Sequence, residues 1–337
     1  MAGRSSLVKK KTPHRLRRAL LIALGLPALA LGALYVTRLS WGPGLIVPAP
    51  DPTYAPRPLP RGVDRAIESE RTGARVRAWV LEPPGAARAT LLMLHGIRSS
   101  KTTRLADGRR YAQQGFRVVL VDSRGHGESS GRWLTYGIEE SRDLIALVDV
   151  LEGEGALAAP LMVHGVSYGA ATAVQYAAAD ARVATTFAIS PFTSLRAVAR
   201  AYAEWIAGPV GTFMPESMLD DVLREAGRQG SFDPEAACPL CAATDIQGEL
   251  IVAHSRDDER IPFAHAEAIV DAAGGPLVEV RDASHNQTGA SEVVRRSVDE
   301  WLRRAADREA SPESGVNRTL RGPDAQEGSP RSTTAVE

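Results

Sequence analysis

Residues 161–170 read Leu161-Met-Val-His-Gly-Val-Ser-Tyr-Gly-Ala170. Three apolar residues, Leu161 to Val163, run into Gly165-Val166-Ser167-Tyr168-Gly169, and a small-residue segment follows that reads as helix. A strand, a tight G-x-S-x-G turn and a helix make a nucleophile elbow. The two glycines answer a geometric need, because a side chain at either position would crowd the neighbouring strand or helix. The turn lifts the Ser167 hydroxyl off the sheet edge and points a helix N-terminus at whatever reacts there. In a chain with 30 glycines, the same five residues also describe an ordinary Gly-rich turn. What separates the two readings lies elsewhere in the chain.

Working outward from the elbow, alternation on either side of Arg71-Thr-Gly73 predicts a hairpin over 63–83. A buried strand over 89–95 leads into the polar loop 96–100 and a helix to about 114. The next strand, 116–121, ends in Asp122-Ser-Arg-Gly-His-Gly-Glu-Ser129. Ile138, Leu144, Ile145, Val148 and Leu151 mark one face of a helix. Beyond the elbow, strands at 183–189, 250–254 and 277–280 alternate with helices at 262–273 and 290–305. An antiparallel start followed by βα units predicts an α/β fold: a mostly parallel, eight-stranded sheet flanked by helices. The rhythm stops between 191 and 246, where helical patterns punctuated by Pro209, Pro215 and Gly230 predict a helical lid over a site.

The ends differ from this middle. Lys plus Arg and Asp plus Glu are 40 each in 337 residues, so mean charge excludes no partner. The distribution is uneven: seven basic and no acidic residues occupy positions 1–18, and eighteen uncharged residues follow at 19–36. A helix of that length is roughly 27 Å long, close to a bilayer core. Basic residues before an apolar run are read as a signal anchor rather than a nucleic-acid arm, with a cleaved signal as the alternative. The expectation is a single-pass membrane protein with a cytoplasmic N-terminus and an extracytoplasmic domain, or a secreted one. The chain then divides into 1–41, a basic N-terminus and membrane helix; 42–62, a spacer with seven prolines; 63–306, the folded domain; and 307–337, a polar tail expected to be disordered. Cys238 and Cys241 form a lone C-x-x-C. Their spacing leaves open a thiol pair, a disulfide, and metal or redox use, although no second ligand pair for a structural zinc accompanies them.

A serine hydroxyl needs a base to take its proton and a third group to orient that base. On this type of fold they follow the nucleophile in the order acid, then His. Of the histidines at 14, 95, 126, 164, 254, 265 and 285, only His285 follows the last strand, 277–280. The acid belongs after the preceding strand, where Asp257, Asp258 and Glu259 lie together. An oxyanion needs two fixed donors. These are expected to be the backbone N–H groups of Tyr168, directly after Ser167, and Ile97, after the turn at Gly96. His95 and His254 are read as strand-end packing or loop support, His126 as a turn residue and His265 as structural.

Taken together, residues 75–302 resemble the α/β-hydrolase superfamily, in particular its serine aminopeptidase-like serine hydrolases with a helical lid. His95-Gly96 resembles that group's oxyanion loop, 122–129 its D-x-R-G-H-G-x-S turn, 165–169 its elbow, and His254-Ser-Arg-Asp-Asp-Glu-Arg-Ile-Pro262 its H-G-x-x-D-x-x-V-P segment. In that last segment the acid lies four residues after the His, which selects Asp258, while Ser255 in place of Gly keeps Asp257 as the reserve. The resemblance implies cleavage of an ester, thioester or amide through an acyl-enzyme, with no metal or organic cofactor. A membrane location favours small-molecule or lipid esters. The alternatives are a serine peptidase and a catalytically silent binding protein of the same fold.

Overall fold

The structure is a computed structural model that describes Gly25, Pro48, Ala49 and residues 57–310. Eight strands form one sheet: β1 (Arg65–Ser69), β2 (Val76–Leu81), β3 (Thr90–Leu94), β4 (Arg117–Val121), β5 (Leu161–Val166), β6 (Val183–Ile189), β7 (Glu249–Ser255) and β8 (Leu277–Val280). Their order is β1-β2-β4-β3-β5-β6-β7-β8. The β1–β2 and β2–β4 pairs are antiparallel, and every pair from β4 to β8 is parallel. This is the mostly parallel eight-stranded sheet of the α/β-hydrolase fold.

Helices α1 (Leu105–Gln113), α2 (Ile138–Gly153) and α3 (Tyr168–Ala179) follow β3, β4 and β5. Next come α4 (Leu195–Ala207), α5 (Pro209–Thr212), α6 (Glu216–Gly230) and α7 (Pro239–Ala243), all between β6 and β7, then α8 (Ala264–Ala273) and α9 (Glu292–Ala310). Central strands read as continuous apolar runs because both faces are covered. Leu91 and Met93 of β3 point into a core shared with Val298, Trp301 and Leu302 of α9. Leu92 and Leu94 point the other way, into a core with Leu144, Leu147 and Val148 of α2.

The helical insertion between β6 and β7 packs against α3, where its apolar face continues a third core. Leu195, Val198, Leu219 and Leu223 pack with Tyr168 and Ala171 of α3. The Ser194 hydroxyl caps α4 by accepting from the Ala197 N–H at 3.1 Å. Cys238 and Cys241, whose spacing alone is ambiguous, form a disulfide at the start of α7.

The expected membrane location is corrected. No helix among the described residues is long and apolar enough to cross a membrane. The longest, α9, has the length but carries Arg295, Arg296, Glu300, Arg303 and Arg304, charges that are expensive in hydrocarbon. Apart from Gly25, the span expected at 19–36 lies outside the described residues, as does the tail from 311. Within the expected spacer, Pro48 bridges to Trp133 on the domain.

Candidate active site

Ser167 stands between β5 and α3 with φ 54° and ψ −116°. A non-glycine residue at that φ is strained, and strain of this kind persists only where the surroundings enforce it. They do so here by close approach. A Cβ at Gly165 would lie 2.2 Å from the Gly169 carbonyl oxygen, and one at Gly169 would lie 2.5 Å from the His95 carbonyl oxygen. The Ser167 N–H donates to the Ile189 carbonyl at 2.7 Å and ties the turn to β6.

His285 lies in the loop after β8, and its Nε2 is 2.9 Å from Ser167 Oγ. Its Nδ1 is 2.7 Å from Asp258 Oδ2, in the loop after β7. Both side chains are buried. The His285 N–H also donates to Glu259 at 2.9 Å, which fixes the loop from below. Of the two acids left open by the segment 254–262, Asp258 faces the imidazole, while Asp257 accepts from the Asp282 N–H at 2.7 Å. Burial opposes the charge of Asp258. The hydrogen bonds from His254 and His285 and the N–H of Ile261 outweigh it, and the carboxyl is held below the usual carboxylate range.

Tyr168 is the first residue of α3, so its N–H has no carbonyl within its own helix to bond. The Tyr168 hydroxyl points away from Ser167 and donates to Glu140 Oε1 at 2.8 Å. Glu140 in turn accepts from the N–H groups of Thr135 and Gly137. Ile97 follows Gly96, whose added Cβ would sit 3.8 Å from Ser167 Cβ, so this loop lies directly against the serine.

Two histidines hold that loop. His95 Nδ1 bonds the Gly96 carbonyl at 2.8 Å, and its Nε2 accepts from the Ser123 N–H at 3.2 Å. This tautomer is neutral, and burial followed by repulsion from His126 lowers its pKa to about 4. His126 Nε2 accepts from the Arg98 N–H at 3.1 Å. Sequence reasoning identifies His95 as loop support but reads His126 only as a turn residue. His254, read with His95 as strand-end packing or loop support, lies 3.3 Å from Asp258 Oδ2 and bonds the Ile261 carbonyl at 2.9 Å, so it steadies the acid loop. His265 accepts from the Thr193 N–H at 3.1 Å and fastens the start of the helical insertion to α8.

These groups open onto a cavity of about 420 Å³ lined by Ser167, His285, Ile97 and Tyr202, among others. An ordered run of carboxylate, imidazole and hydroxyl, with backbone donors beside the hydroxyl, is chemically equipped for acyl transfer.

The family described as "Serine aminopeptidase, S33" matches residues 85–238. The uncharacterized protein YqkD of Bacillus subtilis is 26% identical over 227 residues, 63% of this chain and 70% of its own length. Esterase Pf2001 of Pyrococcus furiosus superposes with a TM-score of 0.56 at 19% identity, covering 76% of this chain and 97% of the esterase. Acylaminoacyl peptidase of Pyrococcus horikoshii gives a TM-score of 0.54 at 14% identity, over 72% of this chain and 41% of the peptidase. These likenesses and the sheet order agree on the α/β-hydrolase fold.

Proposed function

We propose that the chain is a serine hydrolase that cleaves esters of small molecules through an acyl-enzyme. Residues 63–306 are its catalytic unit and 191–246 its lid. The observation that carries this reading is the unbroken contact from Asp258 through His285 to Ser167 on a strained elbow turn. His285 Nε2 takes the proton of Ser167 Oγ as the oxygen attacks the ester carbonyl. Asp258 stays ionised, holds the Nδ1 proton and stabilises the imidazolium that forms. The developing oxyanion takes hydrogen bonds from the N–H groups of Tyr168 and Ile97. His285 then protonates the leaving alcohol, and water enters to reverse the sequence on the acyl-enzyme.

Esters are favoured over amides because the esterase of Pyrococcus furiosus is matched over nearly its whole length, and the acylaminoacyl peptidase over less than half. With no membrane-spanning helix among the described residues, nothing favours lipid over other small-molecule esters. A second reading, a peptidase, is favoured by the description of the matching family. Hydrolysis of short 4-nitrophenyl esters set against aminoacyl 4-nitroanilides separates the two. Turnover of the esters, lost in Ser167→Ala, is the expected result. Turnover of the anilides alone would favour the peptidase, and turnover of neither class would contradict a hydrolase acting on either bond.

A further inference from the structure

The cavity beside Ser167 is walled by four guanidinium side chains: Arg104 from the 3-10 turn before α1, Arg110 from α1, Arg260 after β7, and Arg295 from α9. Among the described residues that line it, Asp107 alone is acidic. A pocket for a plain acyl chain is apolar, and packing methylenes against guanidinium groups strips water from the charges without replacing it.

The four arginines are not equally engaged. Arg110 Nη1 lies 2.5 Å from Asp299 Oδ1, a carboxylate outside the wall. Arg260 Nε lies 3.2 Å from Glu259, and its guanidinium covers the ring of Trp205. Arg295 stands exposed at the rim. Arg104 differs from all three. Its side chain is the most buried, 16% exposed against 30% for Arg110 and 25% for Arg260, and its Nε, like theirs, is buried without an acceptor. Its Nη2 lies 3.3 Å from Asp107 and 3.4 Å from His164 Nδ1. His164 is buried, and burial followed by the charge of Arg104 pushes its pKa well below the ordinary value, so it is a neutral acceptor and no counter-ion. The Asp107 side chain is 39% exposed and solvated. Five donors on a nearly buried cation therefore face one imidazole nitrogen and one partly solvated carboxylate. A guanidinium fork is shaped to take a carboxylate or phosphate on two parallel N–H bonds.

We propose that this cavity selects esters whose cavity-filling part ends in an oxyanion, a carboxylate or a phosphate, and that Arg104 is the group that binds it. The proposal rests on the serine-hydrolase reading, and it names the substrate class of that same site.

The test compares kcat/KM of the full chain for mono-4-nitrophenyl adipate and 4-nitrophenyl hexanoate, which match in chain length and differ in the terminal carboxylate. At low ionic strength the adipate ester is expected to be at least tenfold better. Arg104→Met is expected to lower that ratio at least tenfold and Arg104→Lys to retain part of it, with thermal melts checking that both variants fold. Competition by free adipate would identify a carboxylate and competition by inorganic phosphate alone a phosphate; either supports the site. A wild-type ratio at or below one, with no inhibition by either anion, overturns the proposal without reference to any variant. An unchanged ratio in folded Arg104→Met overturns the assignment to Arg104. Labelling by a fluorophosphonate keeps the two failures apart. A chain that labels at Ser167 yet prefers hexanoate refutes the pocket alone, and a chain that does not label refutes the hydrolase reading beneath it.

Discussion

The elbow is where a single methyl group should matter most. A Cβ at Gly165 would sit 2.2 Å from the Gly169 oxygen, 2.6 Å from its carbonyl carbon and 2.7 Å from the Ala170 nitrogen. All three are backbone atoms of α3, so no side chain can rotate away. Gly165→Ala must therefore displace the start of α3 by roughly 1 Å, an overpacking that costs about 1–3 kcal/mol. In a domain of this size that lowers Tm by roughly 2–12 °C. The displaced segment carries Ser167 Oγ and the Tyr168 N–H, and a misplacement of about 1 Å at reacting atoms costs on the order of 100-fold in rate. Urea unfolding and ester kcat/KM measure the two effects on one preparation. Gly153→Ala is the control: an added Cβ there meets nothing within 4 Å, and a helical Gly→Ala change is neutral or stabilising by up to about 1 kcal/mol. A Gly165→Ala enzyme with wild-type Tm and activity would refute the close-approach reasoning. Lost stability with full activity would refute the link from the turn to the chemistry.

Three further outcomes follow from the same contacts. Asp258→Asn is expected to lower kcat by about 10⁴-fold, as loss of the orienting acid does in a triad, whereas Asp257→Asn is expected to change it by less than about tenfold; comparable losses in both would put the acid in question. Tyr168→Phe removes a buried bond of 2.8 Å to Glu140, with an expected stability loss of about 2 kcal/mol by urea unfolding, and no loss would mean Thr135 and Gly137 already satisfy that carboxylate. His95 has a folded pKa of about 4 against 6.5 unfolded, so the unfolded chain takes up the proton first as pH falls. Its contribution is complete above pH 6.5 and is lost towards pH 4, about 3 kcal/mol in all. His95→Gln should flatten the stability–pH curve in that window, and parallel curves would contradict it.

Much of this architecture is legible in the sequence because its signals are local. The apolar runs at 91–94, 118–121 and 161–163 are buried on both faces and announce parallel strands. The order Ser167, Asp258, His285 is legible because each residue follows a strand whose apolar run identifies it. The contacts that hold the loops are not, since His126 meets Arg98 and His254 meets Asp258 only through the turns between them. The arginine wall is less legible still. Arg104, Arg110, Arg260 and Arg295 come from four separate segments, and each reads in isolation as a solvated helix or loop charge. The run at 19–36 lies, apart from Gly25, outside the described residues, and no helix among the described residues is long and apolar enough to cross a membrane.

Ser167 is proposed as a nucleophile that His285 activates. The direct measurement is reaction of the purified chain with a fluorophosphonate, followed by intact mass and peptide mapping. One adduct per chain is expected, located on Ser167, absent from Ser167→Ala and formed far more slowly in His285→Gln. No adduct on the wild-type chain, or equal labelling of Ser167→Ala, would contradict the central claim.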